Sequence, residues 1–454
     1  MKKAIQIVKP MICLLVLCLL LGCTPKQSLE TYPSVYDATE DPVTTEADTT
    51  EPDTTLEVTE PPVTTTEPEI TEPQAETFVL SFAGDCTLGT DHNSYGAQGT
   101  FVNLVGENYG YPFENVLPYF ANDDFTFINL EGVFTDSGTP AEKMFRFRGP
   151  TKYAAILPAG SIEAVSLANN HTLDYGQTGY KNTKAALESE NITYVEHLKT
   201  AMYTTESGLK IGLFGVNYTV GPQTLKNNIA KLKTDGAEVI IVAFHWGIEG
   251  SYRTIAAQVN LAHAAIDAGA NIVVGHHPHV LQPMEEYKDG IIYYSLGNFS
   301  FGGNRNPQDK DTAVIQQVVI REPDGTVHLG DTIAVACRLS SVAGYNDYRP
   351  TPFADGSAEQ LRVLSKLDGT FTGPDLVLDR PSQETTEPET TEPEVTTEPA
   401  VTDPPESTEP PAETEAPTVP PETEPPTQPI ETEAPTVPPE TQAPPVQPDP
   451  TPET

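Results

Sequence analysis

The chain has 454 residues and a formal net charge of −40, from 65 acidic side chains against 25 Lys and Arg. That balance leaves no basic stripe to neutralise phosphates, which argues against nucleic-acid binding. Almost all aromatics, and the single tryptophan, Trp246, fall within residues 78–381, a length ample for one large α/β domain with its own core.

At the N-terminus, Lys2 and Lys3 precede an apolar run over residues 11–21 that ends in Leu20-Leu-Gly-Cys23. This has the form of an export signal with a lipobox, so residues 1–23 are predicted to be a lipoprotein signal peptide, cleaved before Cys23 with lipid on its sulfur. An uncleaved anchor is the alternative, and either places the domain outside the cytoplasm, lipid-anchored or otherwise tethered to the cell membrane. Cys86 and Cys337 then remain as the only unmodified cysteines, which excludes a disulfide framework. Residues 24–77 and 382–454 are rich in Thr, Glu and Pro, with Thr-Glu-Pro recurring, and 27–77 and 382–454 contain no Lys or Arg. Such segments bury too little apolar surface to offset chain entropy and are predicted to be disordered, self-repelling spacers.

Within 78–381 the pattern alternates. Strands are predicted over 78–84, 125–130, 164–168, 210–216, 239–244, 272–275 and 291–295, most of them apolar on both faces as buried sheet strands are. Helices are predicted over 153–157, 176–190, 223–234 and 255–268; in the last, Ala256, Val259, Ala262, Ala265 and Ile266 trace an apolar face. Later segments at 313–320 and 332–338 flank Pro323-Asp-Gly325, a hairpin signal. The pattern predicts a mixed sheet, or two sheets covered by helices.

Five apolar runs end in polar groups: Ser81-Phe-Ala-Gly-Asp85, Phe127-Ile-Asn-Leu-Glu131, Ser166-Leu-Ala-Asn-Asn-His171, Val242-Ala-Phe-His245 and Asn271-Ile-Val-Val-Gly-His-His-Pro-His279. Open α/β sheets bind ligands beyond the carboxyl ends of their strands. Asp85 and Glu131 offer anionic oxygens, Asn170 a neutral oxygen, and His245, His277 and His279 nitrogens. This sulfur-free set suits one or two divalent transition metal ions, Mn, Fe or Zn. His171 is placed to protonate a leaving group. Arg146 and Arg148 share one side of an extended segment and are candidate clamps for a substrate carboxylate or phosphate. Asn298, after another apolar strand, is a candidate lining residue, and Trp246 and Tyr252 are candidate walls.

Together, Gly84-Asp85, Asn129-Leu-Glu131, Ala168-Asn-Asn-His171, His245-Trp-Gly247, Gly275-His-His-Pro-His-Val-Leu-Gln282 and Tyr294-Ser-Leu-Gly-Asn-Phe299 resemble the bacterial CapA (PgsA-type) family of poly-γ-glutamate capsule biosynthesis proteins. That family is related to calcineurin-like metallophosphoesterases. The resemblance implies an α/β (α+β) four-layer αββα sandwich with a two-metal site. It implies metal-ligand roles for Asp85, Glu131, Asn170, His245, His277 and His279, and the catalytic-acid position for His171. It also implies an anionic polymer, or components of a membrane synthase, as partners. The activity would be metal-dependent hydrolysis or transfer, or non-catalytic polymer handling. Two departures stand out. The phosphoesterases carry His two residues after the first Asp, where this chain has Thr87, and their bridging Asp is replaced by Glu131. One metal position is thus a ligand short, with His92 and Cys86 as possible substitutes. His276 could take the place of His277 or orient a neighbour.

Overall fold

The structure, a computed structural model, describes residues 74–378. The expectations for Cys23, the N-terminal apolar run and nearly all of the Thr/Glu/Pro-rich stretches lie outside the described residues. Among the described residues, no helix is long and apolar enough to cross a membrane.

Two sheets form the body. The larger has eight strands, ordered Thr351–Pro352, Val327–Arg338, Asp311–Arg321, Glu76–Thr87, Phe125–Leu130, Ala164–Ser166 and Thr193–Val195, with Asn298–Phe301 joined in parallel to the end of Glu76–Thr87. The smaller has six, ordered Leu281–Tyr287, Gly290–Leu296, Ile272–His276, Val239–His245, Lys210–Asn217 and Thr200–Thr204. The central strands of each sheet run parallel, so their carboxyl ends gather at one end of the body. All seven predicted strands form, with ends shifted by up to three residues.

Alternation along the strands decides the layers. Phe78, Leu80 and Phe82 of the first strand meet Leu213, Ile241 and Val274 of the other sheet, so the sheets pack face to face. Ala83, Ile128 and Val165 turn the opposite way, onto Phe101, Phe113, Leu157 and Leu187. On the far side, Phe214, Val242 and Val273 pack on Leu225, Ile229 and Ala262 of the helices Pro222–Thr234 and Ala256–Ala268. The order is helix, sheet, sheet, helix, the αββα sandwich that the resemblance implies. Burial of each large apolar side chain contributes roughly 1.5–3 kcal/mol.

One predicted helix differs, and several elements are not predicted, among them the strands Thr200–Thr204 and Leu281–Tyr287. Residues 153–157 form no single helix: a 3₁₀ turn, Thr151–Ala155, runs into the short helix Ile156–Ala159, which Gly160 ends. The helix Ala358–Leu367 has no counterpart among the predicted elements. Ser357 caps it by accepting the Gln360 N–H, and Val363 and Leu367 close the open edge of the core between the sheets. Cys86 and Cys337 are free thiols in the same apolar cluster.

Candidate metal centre

The carboxyl end of the first strand reaches the site through an irregularity. Phe82 pairs with Phe127 but Asp85 pairs with Asn129, so Glu76–Thr87 carries one extra residue, at Ala83–Gly84, a bulge that re-aims the strand's last residues. Gly84 is required there: a Cβ would lie 2.0 Å from the Gly297 carbonyl oxygen. Asp85 is thereby delivered, fully buried, to the end of the sandwich. From the facing sheet, Val239–His245 and Ile272–His276 end at the same level. The turn after Ile272–His276 holds His277 and His279 at φ 97° and 58°, a conformation that costs a non-glycine residue on the order of 1 kcal/mol or more and that clusters at functional sites.

The structure brings the six candidate ligand residues together. The Asp85, Glu131 and His245 ligand atoms all lie within 4.8 Å of one another, as do those of Glu249, His277 and His279. His279 joins the two sets, with Nδ1 3.2 Å from Asp85 Oδ2 and Nε2 3.7 Å from Glu131 Oε1. Asn170 Oδ1 lies 2.9 Å from His245 Nε2. Asn129 bridges the sheets: its Nδ2 donates to Asp85 Oδ1 at 2.8 Å and sits 3.4 Å from His245 Nδ1. Asn169 in turn donates to Asn129 Oδ1 and to the Leu130 carbonyl.

The donors fit a divalent cation. Both Glu131 carboxylate oxygens, His276 Nε2 and His277 Nδ1 are buried with no hydrogen-bond partner, and His276 Nδ1 meets only Asp85 Oδ1, at 3.3 Å. Unpaired polar atoms of this kind each cost on the order of 1–3 kcal/mol, so a native site leaves them open only where something else completes them. Burial pushes the Glu131 carboxyl up to about 8, reinforced by the negative charges of Asp85 and Asp174 and offset in part by His279. Asp85 is driven the other way. Burial raises it, but bonds from His276 and His279 and their charges hold it well below the usual range. Burial and the neighbouring imidazoles lower His245 well below its ordinary value and bring His277 down to about 3. For His279, burial lowers the value, but Glu131 and Asp85 raise it to about 9.

His171 lines the cleft beside the cluster, with Nε2 3.7 Å from Glu131 Oε1. Its Nδ1 lies 2.7 Å from Asp174 Oδ2, and the Phe147 ring stacks over it at 4.3 Å. Asp174 also pairs with Lys143 and accepts the Phe147 N–H. Burial lowers His171 despite that carboxylate, and with Nδ1 turned to Asp174, and Lys143 Nζ 3.3 Å from it, Nε2 is the nitrogen that faces the cluster. Asn298 is at the rim, with Oδ1 2.9 Å from His279 Nδ1. The cleft itself holds 310 Å³ and is bounded by Phe145, Phe147, Glu249, His279, Phe301 and Leu376 among others.

Other candidates fall elsewhere. Arg146 and Arg148 lie on the face of the Phe147–Gly149 strand opposite Phe147, and neither bounds the cleft. His92 is exposed and bonds to the Tyr175 hydroxyl at 2.9 Å, while Cys86 packs into the core; neither fills the missing ligand position. Thr87 donates its hydroxyl to the Glu131 carbonyl at 2.8 Å. Trp246 stacks on Phe244 and donates Nε1 to the Tyr294 carbonyl, so it packs the core. Glu249 and Asp174 escaped sequence reading. Glu249 sits in a loop without periodicity, whereas Asp174 carried a usable signal, a carboxylate three residues after His171.

A family model described as bacterial capsule synthesis protein PGA_cap matches residues 79–303. The chain is 32% identical over 272 residues to the capsule biosynthesis protein CapA of Bacillus anthracis, covering 53% of this chain and 64% of that protein. It is 30% identical over 324 residues to the PGA biosynthesis protein CapA of Bacillus subtilis (strain 168), covering 64% of this chain and 78% of that one. Among solved structures, that of the Haemophilus influenzae NAD nucleotidase NadN aligns with a TM-score of 0.34 at 14% identity, over 65% of this chain and 56% of that one.

Proposed function

The chain belongs to the bacterial capsule synthesis protein PGA_cap family, and from that premise we propose that its cleft carries out metal-assisted hydrolysis or transfer on an anionic polymer of the poly-γ-glutamate kind, or on its precursor. The observation that carries this reading is the set of buried, unpartnered Glu131, His276 and His277 atoms beside Asp85, His245 and His279. Asp85, Glu131, Asn170, His245, His277 and His279 would hold the ion or ions. A bound divalent ion would supply Lewis acidity and a water ionised near neutral pH.

The chain's own residues supply the rest. Asp174 holds the His171 ring and turns Nε2 toward the cluster, where it takes up and returns a proton. Phe147, stacked on the ring, excludes water from one face. Asn298 holds the His279 imidazole in orientation. A second reading, a non-catalytic accessory that grips polymer or synthase components, is favoured by one observation: Thr87 stands where the phosphoesterases place a ligand, and its hydroxyl is spent on a backbone carbonyl.

The Lys2-Lys3 and Leu20–Cys23 pattern supports a location outside the cytoplasm, with the domain tethered to the membrane through lipid on Cys23. Incorporation of labelled palmitate that persists in Cys23→Ser would count against it. For the chemistry, the full chain loaded with Mn or Zn is incubated with a γ-glutamyl decamer and with a phosphodiester. Turnover that disappears in His171→Ala supports hydrolysis; binding of the decamer without turnover supports the accessory role.

A further inference from the structure

Two arginines outside the metal cluster have guanidinium groups that pair with no carboxylate of the described residues. Side chains alternate along extended backbone. Phe145 and Phe147 face the cleft, where Phe147 covers His171 and meets Phe301. Arg146 and Arg148 therefore point to the outer face of the ribbon formed by Thr90–Asp91, Phe147–Gly149 and Val133–Phe134. Of the described arginines, Arg253, Arg321, Arg349 and Arg362 each hold a carboxylate; Arg146, Arg148, Arg305 and Arg338 do not, and of these Arg146 and Arg148 stand side by side on one face.

Their contacts are neutral. Arg146 donates to Asn93 Oδ1 at 2.8 Å and to the Ala141 carbonyl at 3.4 Å. The Arg148 guanidinium lies between two rings, 4.3 Å from the centre of Tyr95 and 5.2 Å from that of Tyr175. The Nε atoms of both arginines are buried without a hydrogen-bond partner. Asp91, the acid of the same ribbon, is already engaged, accepting the backbone N–H groups of Asn93 and Arg146. His92 braces the Tyr175 hydroxyl. Two like charges two residues apart, in a chain of net charge −40, are stable neighbours when an anion bridges them, and a planar guanidinium stacked on an aromatic ring is already oriented to bind a carboxylate.

We propose that Arg146 and Arg148, walled by Tyr95 and Tyr175, form a carboxylate-binding site on the outer face of this ribbon that holds successive free carboxylates of a glutamyl chain. It lies back to back with the metal cleft. Asp174 holds His171 and the Phe147 N–H on one side, and the next residue, Tyr175, stacks on Arg148 on the other. That an anion is held rests on the arginines alone; that it is glutamyl rests on the proposed function. Two sources share this chemistry: an external polyglutamate and the chain's own Thr-Glu-Pro segments, such as residues 384–399.

The test is calorimetric titration of the full chain in EDTA, which removes any contribution from metal in the cleft. The probes are a γ-glutamyl decamer, a synthetic peptide of residues 384–399, and a neutral glutamine decamer. One or both acidic probes bind and the neutral one does not, and which acidic probe binds identifies the source. Arg146→Gln and Arg148→Gln each weaken binding about tenfold or more. Arg148→Lys keeps the charge and guards against misfolding; it weakens binding less than Arg148→Gln. An Asp85→Ala, His277→Ala variant binds as the parent does, which separates this site from the cleft. The proposal is overturned if the acidic probes bind the parent and the arginine variants equally, or bind no more tightly than the neutral decamer.

Discussion

Replacing Glu131 with Gln should stabilise the metal-free protein and destabilise the metal-loaded one. The Glu131 carboxyl is fully buried, both oxygens lack partners, and burial with Asp85 and Asp174 nearby raises it from 4.5 to about 8. Between those two values the folded state binds a proton that the unfolded state has released, so stability falls as pH rises through that window. At pH 7 the cost of taking up that proton is on the order of 3 kcal/mol, and at pH 5 it is below about 1 kcal/mol. Glutamine keeps the shape and carries no charge. Urea unfolding in EDTA should therefore show Glu131→Gln more stable than the parent by up to about 3 kcal/mol at pH 7, with the gain nearly gone at pH 5. With Mn or Zn at a thousand times its Kd the order reverses, because the cation then adds about 4.1 kcal/mol to the parent alone. A variant less stable than the parent in EDTA at pH 7 would refute the reasoning, since Glu131 would then be making bonds that hold the fold.

Metal affinity should rise by about two logarithmic units per pH unit below pH 8, because the raised Glu131 and His279 must each give up a proton on binding; competition with a chelating dye at several pH values measures the slope. Lys366→Met should cost about 1–3 kcal/mol in urea unfolding, since Lys366 is buried between Asp309 and Asp311 and its loss leaves Asp309 with the Tyr252 hydroxyl, while Arg362 still holds Asp311. Gly84→Ala puts a Cβ 2.0 Å from the Gly297 oxygen and 2.7 Å from that of Leu296; a loss of more than about 4 kcal/mol, read by thermal unfolding, is expected.

Much of this site was legible because parallel strands buried on both faces read as continuous apolar runs, and a ligand-type residue at their ends is conspicuous. Asp85, Glu131, His245 and the His276-His-Pro-His279 turn all showed themselves in that way, and the ordered motifs implied the layer order. The less legible parts have physical causes. Alternation put Arg146 and Arg148 on one side of a strand, but only tertiary packing decides which side faces the cleft. Leu281–Tyr287 is an edge strand that tolerates Pro283, a residue that argues against strand in a sequence. The Ala358–Leu367 helix follows no other strand of the parallel pattern and is held by its edge position and the buried Lys366 pairs. Glu249 reaches the cluster from an irregular loop, which no periodicity could announce.

The central claim is that the gathered carboxylates and imidazoles hold metal. Elemental analysis of the purified full chain, beside an Asp85→Ala, His277→Ala variant, tests it most directly. The account predicts one or two equivalents of Mn, Fe or Zn in the parent and a large loss of metal in the folded variant. A parent that is fully folded, remains metal-free after incubation with each of these ions, and gains no stability from them would contradict it.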